Sequence, residues 1–177
     1  RMTQEADFRP GPANQVVSRE SATGRADAAQ IAGLGLDPRP FVEGTVGLDI
    51  RGETRRNGQG RIQVRTDLTP ATLAVEALAW SKPPGVAARG EATVMMLIGA
   101  LASVEAIRVE APDALLRGRA INPRDNVPQR IEIQQGNLGR NRFTAEIAPP
   151  RNRTESWTIG MRGPVLVAVA AEGAEVA

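Results

Sequence analysis

From residue 41 onward, apolar and polar positions alternate with a period of two, in short runs broken by turn-forming residues. The runs cover 42–53, 59–68, 72–80, 90–98, 102–110, 114–121, 129–134, 140–147, 156–161 and 165–170. Between them stand RNG, TP, SKPPGVAAR, APD, NPRDNVP, GNLG, APPRNRT and RGP, rich in the Gly, Pro, Asn and Asp that turns favour. No connection has room for a crossover helix, so consecutive strands are expected to pair antiparallel as a meander. The pattern predicts a mostly β fold.

The first hairpin can be placed in register. Val46, Leu48 and Ile50 point one way, and Gly47, Asp49 and Arg51 the other. Ile62, Val64 and Leu68 share a side opposed by Arg61, Gln63, Arg65 and Asp67. A two-residue Asn57-Gly58 loop would set Ile50 against Arg65 and mix the sides. A three-residue loop, Arg56-Asn57-Gly58, avoids this with a type I turn and Gly58 left-handed in a G1 bulge. Ile50 then faces Val64 and Val46 faces Leu68, while Asp49 meets Arg65 and Glu53 meets Arg61 as ion pairs.

The alternation continues downstream in Leu73 and Val75; Val94, Met96 and Ile98; Ile107 and Val109; Ile131 and Ile133; Phe143, Ala145 and Ile147; and Trp157, Ile159 and Met161. Each strand thus offers one side made mostly of aliphatics. Three coverings suit such a surface: a second sheet, closure into a barrel, or a groove occupied by an apolar ligand. The pattern leaves all three open.

One short helix is expected near the N-terminus. Asp27 and Gln30 have capping-box spacing, Ala28, Ile31 and Ala32 form its stripe, Gly33 or Gly35 stops it, and DPRP at 37–40 ends it. Residues 1–24 read as a poorly patterned lead-in with at most a short strand at Asn14–Arg19, and 25–177 as one β-rich domain.

Composition narrows the chemistry. The 177 residues contain no Cys and no His, which removes thiol nucleophiles, thiolate metal sites and the commonest general base and metal ligand. Neither a cofactor nor catalysis is expected. The candidate catalytic carboxylates are Glu105, Glu110 and Asp113, but Glu105 and Glu110 have opposite strand parity, a poor arrangement for paired acid and base. Five aromatics leave little for stacking on nucleic-acid bases. The pI of about 10.2 reflects arginines that never titrate, because 22 basic and 20 acidic residues leave a net charge of only +2. The arginine-rich stretch 51–65 therefore reads as a solvated surface laced with ion pairs, and no nucleic-acid partner is expected. The chain begins at Arg1 and carries no signal-peptide or membrane-spanning pattern, and so reads as a mature piece of a longer protein.

Several segments together carry a resemblance. ADAAQIAGLGLDPRPFVEGTVGLDIRGE leads from a short helix into a strand, and GRIQVRTDLTPATLAVEALAWSKPPGVAARGEATVMM follows with an aromatic before KPPG. IRVEAPDALLRGRA, RIEIQQGNLGRNRFTAEI and SWTIGMRGPVLVAVA complete the series over about 25–170. In this order the segments resemble AsmA-like bacterial envelope proteins, best in the YhdP-like branch. At the last of them the chain differs, reading Val165-Leu166-Val167-Ala168 where many relatives have Leu-Asp-Leu. The resemblance implies a long antiparallel meander forming a curved, groove-like sheet with one apolar face. It implies phospholipid as ligand, carried between the inner and outer membranes, and a periplasmic location. The attachment would be through an inner-membrane anchor outside this segment, and the flanking strands of the longer chain would be partners. It supplies no catalytic or metal-binding residues. The candidate groove lining is Val46, Leu48, Ile50, Ile62, Val64, Leu73, Val75, Val94, Met96, Ile107, Val109, Ile131, Ile133, Phe143, Ile147, Trp157 and Ile159. The alternative is a structural or adhesive β-sandwich module with no ligand.

Overall fold

The computed structural model describes residues 1–32, 38–148, 150 and 155–165, without the side chains of Asn122 and Val165. Its strands are β1 (Met2–Ala6), β2 (Val16–Asp27), β3 (Val42–Glu43), β4 (Thr45–Arg55), β5 (Gln59–Asp67), β6 (Thr72–Val75) and β7 (Trp80–Lys82). They continue as β8 (Arg89–Leu97), β9 (Ala100–Ala111), β10 (Ala114–Arg124), β11 (Val127–Leu138), β12 (Asn141–Ala148) and β13 (Thr158–Val165). Among the described residues, ten strands form one open sheet in the order β1-β2-β4-β5-β8-β9-β10-β11-β12-β13. Every neighbouring pair is antiparallel, the meander that the short connections predict.

The β4–β5 hairpin turns as expected. Gly58 is left-handed at φ +81, its N–H donates to the Arg55 carbonyl at 2.9 Å, and Ile50 faces Val64. The short helix α1 (Ala28–Ala32) starts with the expected reciprocal cap. The Gln30 N–H donates to Asp27 Oδ1 at 2.8 Å, and the Asp27 N–H to Gln30 Oε1 at 2.9 Å. The proposed stop at Gly33 or Gly35 lies outside the described residues, as does the run 165–170 beyond Val165.

Four departures reshape the picture. Residues 1–24, expected to hold at most one short strand, contain β1 and most of β2, both antiparallel members of the sheet. β1 is exposed throughout and β2 has no buried residue, and no apolar stripe marked either. The run 42–53 breaks at Gly44, whose φ of +97 suits glycine and lets the chain change sheets. The run 72–80 is likewise two strands, separated by a 3₁₀ turn at Glu76–Leu78 and by Ala79 in the left-handed region at φ 48. β3, β6 and β7 thereby form a separate three-stranded sheet. Finally, the strands run further into the expected breaks. In NPRDNVP only Asp125-Asn126 turns, with φ of 50 and 62, and Pro123 of β10 stands opposite Pro128 of β11, while β13 runs on through the expected turn at Arg162-Gly163-Pro164.

The buried core sits where the small sheet meets the large one. Leu73, Leu78 and Trp80 pack with Val46, Leu68, Ala71, Ala88, Ala114, Ile133, Leu138, Phe143 and Ala145. Gly136 belongs to this packing: a Cβ there would lie 2.5 Å from the Phe143 ring.

Candidate functional site

Strand register carries one side of the large sheet from strand to strand. Gly52 faces Ile62, and the row continues through Val94, Val104, Ala120, Ile131 and Ile147 to Ile159 on β13. No polar side chain interrupts these eight positions. One step along the strands, Ile107, Gly118, Ile133, Ala145 and Met161 form a second row, with Ala22, Ile50, Val64 and Ala92 ahead of them. A third runs Leu48, Thr66, Gly90, Val109, Leu116, Gly136, Phe143. Opposite parity gives a different text: Asp49, Arg65, Glu91, Arg108, Arg117, Gln135.

The candidate lining residues differ in their place relative to the core cluster. Val46, Ile133 and Phe143 lie in the core cluster, and Leu48, Val109, Ile131 and Ile147 pack partly buried against it. Ile50, Ile62, Val64, Val94, Met96 and Ile107 are partly buried and belong to neither group. Ile159 is 39% exposed. Leu73 and Val75, expected to line the large sheet, lie instead on β6 in the small one. Their alternation matches that of the large-sheet strands, but the break at Gly44 and the 3₁₀ turn place them on the other layer. Trp157, just ahead of β13, meets Phe41, just ahead of β3, edge to face at 5.5 Å between ring centroids.

Polar contacts pin the small sheet down. Asn141 Nδ2 donates to the Leu78 carbonyl at 3.1 Å, and Trp80 Nε1 donates to Asp113 Oδ2 at 3.2 Å. Lys82, only 2% exposed, donates from Nζ to the carbonyls of Leu68, Thr69 and Val86 at 2.8, 3.1 and 3.0 Å. Burial pushes its ammonium below the usual lysine range, partly offset by Asp67. Sequence pattern did not single out these three residues. The available signal was Lys82 itself, the single lysine beside 21 arginines. A compact ammonium reaches three converging carbonyls, whereas a planar guanidinium fork does not.

The other side of the sheet is an ion lattice. Glu110 accepts from Arg89 Nε and Arg108 Nε, both at 2.7 Å, and these arginines hold its carboxyl below the usual range. Arg119 pairs with Glu132 and Arg130 with Glu146, each at 2.7 Å. Asp49 and Arg65 are opposed as expected, but the ion pair that Asp49 makes is with Arg51 on its own strand, at 3.3 Å. Of the carboxylates weighed for catalysis, Glu110 is engaged by arginines and Asp113 by Trp80. Glu105 accepts from the Ser103 hydroxyl at 3.2 Å. Among the described residues no group of three acidic, His or Cys side chains could hold a metal ion. No described helix is long and apolar enough to cross a membrane. Compared with known proteins, the chain has no significant match to any family model, curated protein or solved structure.

Proposed function

We propose that this chain is a non-catalytic lipid-binding segment, whose aliphatic rows form the floor of a trough that holds phospholipid acyl chains and lets them slide. The observation that carries the reading is the unbroken row from Gly52 to Ile159, together with the partial burial of Ile50, Ile62, Val64, Val94, Met96 and Ile107 outside the core cluster.

Curvature of the sheet has its own support. β13 is seven strand positions from β4, about 34 Å in a flat sheet at roughly 4.8 Å per strand. Phe41 lies four residues ahead of Thr45 and Trp157 one ahead of Thr158, a combined backbone reach of at most about 18 Å even when fully extended. Contact between Phe41 and Trp157 at 5.5 Å therefore favours a sheet that curls toward its aliphatic side. A hydrocarbon chain lying in such a curl loses water from both surfaces, favourable by about 25 cal/mol per Å² of apolar area. That attraction has no direction, so a chain can move along the row without breaking specific bonds. With the AsmA-like resemblance, the reading extends to phospholipid transport between the two membranes of a bacterial envelope, with further strands of a longer chain pairing onto the edges at β1 and β13.

Photo-crosslinking side chains placed at Val64 and Val94 should capture phospholipid in cells, and one placed at Arg65 should not. Equal labelling at all three positions would refute the reading. A ligand-free β module is the second reading, favoured by the packed cluster under Leu73, Leu78 and Trp80. It requires Val64 and Val94 to be as inaccessible as Leu138.

A further inference from the structure

Large apolar side chains left in water are unremarkable when scattered, but here they gather. Five described large hydrophobics are exposed, and three of them, Phe8, Leu97 and Ile98, lie at the strand ends away from the small sheet. Backbone and side-chain contacts join these ends into one rim. The Asn57 N–H donates to the Ala13 carbonyl at 2.9 Å, the Ile98 N–H to the Gly58 carbonyl at 2.8 Å, and the Leu101 N–H to Asn126 Oδ1 at 2.8 Å. The β1–β2, β4–β5, β8–β9 and β10–β11 turns thus stand side by side.

Ile98 is costly where it sits. It is 82% exposed at the first position of a two-residue turn, with φ of 50, followed by Gly99 at φ 76. That backbone favours Asn, Asp or Gly, and a β-branched residue there is strained as well as solvent-facing. Neither strain nor exposure serves the fold, so both point to something the tip must touch.

The rim's charge says what kind of surface that is. Its turns carry Arg9, Arg55, Arg56 and Arg124 against Asp7 and Asp125, and Asp7 is already paired with Arg9 at 2.8 Å. This surplus of two equals the net +2 of the whole chain. We propose that the rim docks on an anionic lipid bilayer, with Phe8, Leu97 and Ile98 entering the boundary between headgroups and acyl chains while Arg55, Arg56 and Arg124 meet phosphates. A second copy of the chain fits less well, because rim-to-rim pairing would bring arginines against arginines. The inference does not rest on the trough: it uses none of the trough residues.

Vesicle flotation of the whole chain tests it, with phosphatidylcholine vesicles made with and without phosphatidylglycerol. Binding is expected only with phosphatidylglycerol and should weaken as salt rises. The Phe8→Ser and Ile98→Asn variants should each bind about tenfold more weakly. Arg55→Gln and Arg124→Gln should each lose about fivefold. Asn accepts the left-handed turn, so Ile98→Asn should melt no lower than the parent and its loss of binding would not be a loss of fold. Arg65→Gln, which removes one positive charge from the polar side of the sheet away from the rim, should float like the parent. Several results would overturn the proposal: no flotation of the parent, unchanged flotation of the Phe8 and Ile98 variants, or a loss in Arg65→Gln as large as in Arg55→Gln. Self-association abolished by Ile98→Asn without any vesicle binding would assign the rim to a second copy instead, and would equally overturn it.

Discussion

Lys82 shows how much one side chain decides. Its ammonium ties the end of β5 and the loop at Val86 to β7, and no other described side chain reaches all three carbonyls. Lys82→Met orphans those acceptors and should cost about 3 kcal/mol in urea unfolding. Lys82→Arg should recover only part of this, because the fork cannot converge on the same point. Acid should act through a different residue. Glu110 has its folded pKa depressed by Arg108 and Arg89, so its contribution is fully present above the ordinary glutamate value of 4.5 and is lost as pH falls through the lower folded value. Urea midpoints measured against pH should therefore decline below about pH 4.5, and the decline should be shallower in Glu110→Gln.

At the scale of elements, the small sheet is the feature that gives the meander a buried core. Trp80→Ala removes its largest buried ring and should destabilise by about 3 kcal/mol, measured by urea unfolding. The same change should raise the reactivity of a cysteine placed at Ile133, now under the cover. The β8–β9 turn should respond in the opposite sense: Ile98→Asn relieves a left-handed β-branched residue and should stabilise by about 1 kcal/mol in the same assay. The hairpin at Gly58 was legible because only a three-residue loop keeps Ile50 and Val64 on one side. The cap at Asp27 and Gln30 was legible because it is local. The small sheet was not, since Leu73 and Val75 alternate identically in either layer and only Gly44 and Ala79 redirect the chain. Nor were β1 and β2, which bury no side chain fully and which carry no apolar stripe.

Across the whole molecule, the eight-position aliphatic row links strands whose sequence separation reaches more than a hundred residues, from Gly52 to Ile159. Period-two alternation made the strands and their antiparallel order legible. It could not say which part the chain itself would cover, because a packed core and a hydrocarbon-binding floor use the same residues. Trp80, Leu78 and Asn141 settle that for one end of the strands; Ile50, Ile62, Val64, Val94, Met96 and Ile107 are where a ligand would have to lie. A chain without cysteine permits a clean test, in which single cysteines at Val94, Leu138 and Arg65 are exposed to an apolar maleimide with and without added phospholipid. The expected result is rapid labelling at Val94 that phospholipid suppresses, labelling at Arg65 that phospholipid leaves alone, and none at Leu138. Labelling at Val94 as slow as at Leu138 would contradict the account, because the aliphatic side would then be closed by protein.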